Sequence, residues 1–233
     1  MATINHTFEP SRLLLVWHHL RDDSPRHRRV VGEIYKDGSH FCFRYTKSTE
    51  DFRLAKLEGF IGYPAFTMNS SEPFMDVLDV FTKRLPPRKR ADFGKYLSQY
   101  GLPENFSGSE MALLGYTGAR LESDSFELCP DYSEISGPAD LIFDVSGASY
   151  HVTPKNLPEE EAPVQFERDP ENIHDSSAIA IYCNAQLIGY LNKALTKGFR
   201  HLLETMTISG KILKAQVKQS KIQVLVHVKC RTK

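Results

Sequence analysis

The chain has 233 residues, of which 41% are hydrophobic and 25% charged, and its 29 basic residues balance 29 acidic ones. That is enough core for one large domain or two small ones. No apolar run approaches the roughly 20 residues of a membrane helix, and the first residues, MATINHTFEPSR, lack the apolar core of a secretory leader. The four cysteines, Cys42, Cys129, Cys183 and Cys230, lie too far apart for a zinc knuckle. Free thiols in a reducing cytoplasm are expected, with no disulfide, metal or other cofactor.

The balanced charge is unevenly spread. Lys155 to Asp175 holds seven acids and two bases, whereas Lys197 to Lys233 holds nine bases and the single acid Glu204. A basic face able to meet phosphates is one reading of the second stretch, and a solvated surface is the other.

Taken in order, Arg12 to Trp17 reads as a strand and Arg21 to Arg29 as a charged loop. Val30 to Tyr35 and His40 to Tyr45 pair as a hairpin across Lys36-Asp37-Gly38-Ser39. Ser70 to Pro73 opens a helix with an apolar stripe of Phe74, Val77, Leu78 and Phe81, which Pro86-Pro87 ends. The basic cluster Lys83 to Arg90 either meets nucleic acid or satisfies helix-terminal carbonyls. A second helix runs from Pro87 to Tyr100, and a third from Ser109 to Leu114, closed by Gly115.

These pieces resemble the N-terminal region of HipA-type toxin kinases. The likeness rests on GEIYKDGSHFCFRY, on Phe81, Leu85 and Pro86 in VFTKRLPP, and on Leu113, Leu114, Gly115, Gly118, Ala119 and Leu121 in SEMALLGYTGARL. It implies a noncatalytic cap that packs on a kinase core and can contact a helix-turn-helix antitoxin. No catalytic-loop or metal-binding kinase signature follows, so the core itself is absent. The likeness also implies a bacterial source and a toxin-antitoxin setting.

Cys129 to Ala139, rich in Pro, Gly and Ser, reads as a linker between a domain at residues 1–135 and another at 140–233. Strands follow at Leu141 to Val145 and Val164 to Glu167. The longest organised stretch is Arg168 to Met206: an acidic turn, a strand from Ala178 to Tyr182, a reversal at Asn184-Ala185, a strand from Gln186 to Leu191, and a helix. That helix buries one face, with Leu191, Ala194, Leu195, Gly198, Phe199, Leu202, Leu203 and Met206 at steps of three and four. Lys211 to Lys218 and Ile222 to Val228 pair across Gln219-Ser220. Short strands at this spacing predict a small barrel, and the whole chain reads as α+β.

ERDPENIHDSSAIAI followed by LIGYLNKALTKGF resembles the HIRAN domain. The resemblance implies an OB-like barrel with one main helix that captures single-stranded DNA by its free 3′ hydroxyl, as in DNA-repair translocases. It carries over residue by residue. Asp175 matches the aspartate that bonds the terminal hydroxyl, and a carboxylate suits a hydroxyl donor while repelling a phosphate. His174 stands where a tyrosine stacks on a base, and an imidazole stacks less extensively. Tyr150 takes the place of the other aromatic platform, His151 that of its neighbour, and Asn172 matches the loop's polar residue. Tyr190 replaces a histidine near the phosphates. Lys193 matches the phosphate-binding lysine at a helix start, where an anion is favoured, and Lys197 joins this DNA-binding set. Ser149 replaces an arginine, which removes one bidentate phosphate contact.

Each role has a plainer counterpart. Asp175 can cap the turn into its strand, and Tyr150 and Tyr190 can be wall residues. His174, Asp175 and Asp169 can be drawn as a metal site, but no general-base lysine accompanies them. The expectation is a noncatalytic binder of single-stranded DNA or DNA ends. Its alternative is a regulatory module docking a kinase core or antitoxin protein, with no membrane partner in either case.

Overall fold

Alternation of apolar and polar residues from Phe41 to Tyr45, behind the Asp37-Gly38 step, sets the register of the first hairpin. In the computed structural model of the protein, which describes residues 4–19, 27–218 and 220–233, Asp37 faces His40 across the two-residue loop Gly38-Ser39. The strands and helices of the first part are β1 (Arg12–His18), β2 (Arg28–Asp37), β3 (His40–Tyr45), α1 (Glu50–Leu57), α2 (Leu78–Thr82), α3 (Phe93–Gln99), α4 (Glu110–Thr117) and β4 (Phe126–Pro130). A 3-10 turn at Tyr132–Glu134 precedes β5 (Ala139–Asp144), the one-turn helix α5 (Ala148–His151), β6 (Pro163–Arg168) and β7 (Ile179–Cys183). Then come β8 (Gln186–Tyr190), α6 (Lys193–Thr205), β9 (Met206–Lys218) and β10 (Lys221–Thr232). Residues 21–26 of the expected charged loop, and Gln219 of the last turn, lie outside the described residues.

The chain divides into two units, one of Glu9–Arg90 and Gly108–Asp131, the other of Met1–Phe8, Ala91–Ser107 and Tyr132–Lys233. Both sheets are antiparallel, and the whole is mixed α and β. The first unit carries the four-stranded sheet β3-β2-β1-β4. Its core is aromatic: Phe43, fully buried, stacks on Phe66 at 4.7 Å and meets Tyr45 edge-on at 4.9 Å. Arg84 is buried here and bonded to Ala119 O, Phe126 O and both oxygens of Asp124, while Arg88 bonds Glu110 and Gly108 O. Two arginines of the basic cluster are therefore structural.

Several expected elements are redrawn. Phe74 does not enter a helix; it pairs with Phe43 through two 2.8 Å backbone bonds, so α2 starts only at Leu78. The second helix is cut to Phe93–Gln99, since Pro87 to Arg90 form a turn. The third passes through Gly115 to Thr117 and stops at Gly118, whose left-handed φ of +67° a glycine adopts without strain. Helix α1, capped by the Thr49 hydroxyl on Phe52 N, has no counterpart among the predicted elements. The expected linker is also ordered: β4 runs to Pro130 and every one of its residues is buried, while Tyr132 packs its ring against Phe199 at 6.5 Å.

The second unit carries the six-stranded sheet β5-β10-β9-β6-β7-β8. The expected barrel is not closed. The outer strands β5 and β8 meet in one bridge, Ser146 to Tyr190, after which α5 turns the chain away. Helix α6 is capped by Asn192, whose Oδ1 accepts from Ala194 N at 3.1 Å, and buries Leu195, Phe199 and Leu202. All four cysteines are free and buried, and burial pushes the Cys230 thiol up to about 12.

The N-terminal residues join this unit through Asp140, which is fully buried. Its Oδ2 accepts from the backbone N–H of Asn5 (2.9 Å) and His6 (2.8 Å), and Oδ1 faces His227 Nε2 at 3.3 Å. Burial favours the neutral acid, but the donors of His6 and Asn5, with His227 and Arg231, outweigh it and hold the carboxyl below its ordinary value. Burial likewise pulls His227 below its ordinary value, only partly offset by Asp140. The signs agree. Below pH about 6.5 the unfolded chain protonates this histidine while the folded one resists, so stability falls with acidification. Asp140 adds stability above pH about 4 that is lost as pH drops through its lowered folded value. Urea midpoints between pH 8 and 3 should therefore fall in two windows. His227→Gln should flatten the upper window and Asp140→Asn the lower; unchanged slopes in both variants would contradict this assignment.

Candidate nucleic-acid interface

Three short segments meet where β5, β6 and β8 end. The first runs from Ser146 to His151. Gly147, at φ +74°, precedes α5, and the Ser149 hydroxyl accepts from Ile222 N at 3.0 Å. This places the Tyr150 side chain almost wholly in solvent, 90% exposed, and leaves His151 half-buried.

The second segment is the turn Asp169–Ser177 between β6 and β7, and side-chain oxygens build it. Asn172 Oδ1 accepts from the N–H groups of His174 (3.0 Å) and Asp175 (3.2 Å). Asp175 Oδ1 accepts from Ser177 N at 2.9 Å and Ser177 Oγ at 2.6 Å. The turn-capping role of Asp175 is thus present. Its other oxygen, Oδ2, has no hydrogen-bond partner among the described residues. His174 is exposed, as is Ile173 beside it, at 91%.

The third segment is Tyr190 to Lys193. Tyr190 exchanges two backbone bonds with Ser146, packs its ring on His151 at 5.7 Å, and donates its hydroxyl to Asp169 Oδ2 at 3.2 Å. Burial, then the hydrogen bond to Asp169, raises the phenol above its ordinary value, so it stays a donor at neutral pH. Lys193 and Lys197 are exposed on successive turns of α6, on one face.

One chain of contacts therefore joins His151, Tyr190, Asn172, His174 and Asp175, with Tyr150 beside His151 in α5. Lys193 follows Tyr190 by three residues, and the chain of contacts does not run through Lys197. Asp169 belongs at the centre and was absent from the expected set. Its signal lay in the Arg168-Asp169-Pro170 step, where an aspartate before proline marks a turn, but its partner Tyr190 is 21 positions away. Among the described residues no group of three or more His, Cys, Asp or Glu could hold a metal ion. The basic and acidic stretches also meet: Lys211 pairs with Glu161, and Arg168 with Glu204. No described helix is long and apolar enough to cross a membrane.

The model of the HIRAN domain matches residues 139–231. The crystal structure of the HIRAN domain of human HLTF is 21% identical over 40% of this chain and 78% of that one, with a TM-score of 0.32. No curated protein matches the sequence. The family match begins at the first residue of β5 and ends within β10, and it does not reach the residues whose motifs resemble HipA-type kinases. Residues 139–231, which build the six-stranded sheet and its long helix, are a HIRAN domain.

Proposed function

We propose that the protein is a noncatalytic DNA-binding protein whose HIRAN domain takes single-stranded DNA at this rim and reads a free 3′ hydroxyl. Tyr150, with His174, offers stacking surface. Lys193 and Lys197, at the start of α6, offer charge to the phosphates. The observation that carries the reading is the divided use of Asp175. One oxygen holds the turn, and the other is left to accept a hydrogen bond from a hydroxyl while repelling a terminal phosphate.

Fluorescence-anisotropy titrations of variants test it. Asp175→Asn keeps a carbonyl oxygen for Ser177 but replaces the open oxygen with an NH2 group, which a phosphate accepts. Its preference for 3′-OH over 3′-phosphate oligonucleotides should fall by about tenfold to a hundredfold, the worth of a hydrogen bond to a charged group. Lys193→Ala should weaken both ligands alike and reduce the salt slope by about 0.7, one phosphate contact on a single strand. A preference untouched in Asp175→Asn would remove the end-reading role.

A second reading concerns the first unit, where Leu57 and Ile61 present exposed apolar side chains. The unit then docks a separately encoded kinase core or helix-turn-helix antitoxin, as its resemblance to HipA-type kinases implies. A stoichiometric protein partner free of nucleic acid on purification from the native host supports that reading, and its absence opposes it.

A further inference from the structure

Tyr190 stands where the family resemblance places a phosphate contact, yet its chemistry here points elsewhere. A phenol has one proton to donate, and this one goes to Asp169 Oδ2 at 3.2 Å. The same oxygen accepts from Asn172 Nδ2, also at 3.2 Å. Asn172 in turn holds the His174 and Asp175 N–H groups. On its other side Tyr190 is fixed by the Ser146 bridge and by the His151 ring. Beyond these bonds, the lip from Asp169 to Asp175 is held mainly at its two ends. Its one large apolar residue, Ile173, faces solvent. Its other backbone ties are Asp169 N to Ala178 O at 3.0 Å, Ala178 N to Asp175 O at 2.9 Å and Asn172 N to Asp169 O at 3.2 Å, and Ser177 bonds Asp175 Oδ1.

We propose that Tyr190 is a positioning residue for the lip: its hydroxyl, through Asp169 and Asn172, sets where Asp175 stands and thereby how well the protein tells a 3′-OH end from a blocked one. The inference rests on the end-reading function proposed above, and it adds Asp169 and a new role for Tyr190 to that site. Two oxygen-centred bonds converge on one atom, so an amide at position 169 can replace the carboxylate. The arrangement needs an acceptor there, not a charge.

The test uses the full chain and two separable readouts. In Tyr190→Phe, hydrogen–deuterium exchange of the His174 and Asp175 amides should quicken by about tenfold or more, the worth of one hydrogen bond to a carboxylate. The ratio of affinities for 3′-OH and 3′-phosphate oligonucleotides should shrink by a similar factor, with the salt slope unchanged. Asp169→Ala should do the same, and Asp169→Asn should stay close to the unsubstituted protein in both readouts. Unchanged exchange in Tyr190→Phe overturns the positioning role, whatever DNA does. Quickened exchange with an unchanged affinity ratio overturns its link to specificity. Asp169→Asn behaving like Asp169→Ala overturns the acceptor argument in favour of charge. An unsubstituted protein that does not distinguish the two ends sinks the end-reading function instead, while the exchange result still decides the role of Tyr190.

Discussion

Phe199→Ala is expected to lower the unfolding free energy of the HIRAN-containing unit by about 3–5 kcal/mol, the usual cost of emptying a buried aromatic site. The ring is fully buried on α6 and meets three others: Phe166 at 4.9 Å, Phe143 at 5.9 Å and Tyr132 at 6.5 Å. Those partners come from β6, β5 and the 3-10 turn, so the side chain fastens the helix to the sheet and to the entry of the unit. Collapse of the site would require three separate elements to move, which puts the loss at the upper end of the range. Urea unfolding followed by circular dichroism checks it. A loss below about 1 kcal/mol would show that the helix is held by its other apolar residues instead.

The second large effect is at Gly189. Its φ of +140° is one that side chains rarely adopt, and a Cβ there would lie 2.6 Å from both Ser146 O and Val145 Cγ1. Neither the backbone oxygen nor a buried valine can retreat cheaply. Gly189→Ala should therefore cost about 2–6 kcal/mol, combining about 1–3 of backbone strain with a similar overpacking cost. It should also loosen the bridge between Ser146 and Tyr190, and with it the rim. The variant protein, under conditions where it remains folded, should bind single-stranded DNA more weakly than Lys193→Ala does. Wild-type stability in Gly189→Ala would mean that the two outer strands tolerate separation.

What the amino-acid order revealed and what it hid follow from how local each signal is. The hairpin at Gly38, the apolar stripe of α6, and the Asp169-Pro170 to Leu191 series are patterns of near neighbours, and each appears at its place, while the Asn192 cap of α6 was not read. Strand β4 was hidden because its Cys129-Pro130 end merges into Pro-, Gly- and Ser-rich chain, yet a strand needs only a neighbour, and β1 provides one. Phe74 reads as the first turn of a helix, but pairing with Phe43 across more than 30 positions outweighs a weak local preference. The N-terminal residues gave no sign of belonging with β5, since the buried carboxylate of Asp140 that holds them lies over 130 positions away.

The site shows the same division. The identity of Asp175, His174 and Asn172 could be aligned to a motif. The hydrogen bond from Tyr190 to Asp169 could not, because it depends on the Ser146 bridge that brings β8 beside α5. A histidine-to-tyrosine exchange looks conservative on paper, but here the longer side chain reaches a carboxylate across the rim and joins the loop.

End reading by this protein is tested most directly by titrating the unsubstituted protein with one labelled single strand in three forms: 3′-OH, 3′-phosphate, and annealed as a blunt duplex. Binding should be tightest to the 3′-OH strand, with the phosphate-blocked strand and the duplex both weaker by about tenfold or more. Equal affinity for all three would contradict end reading.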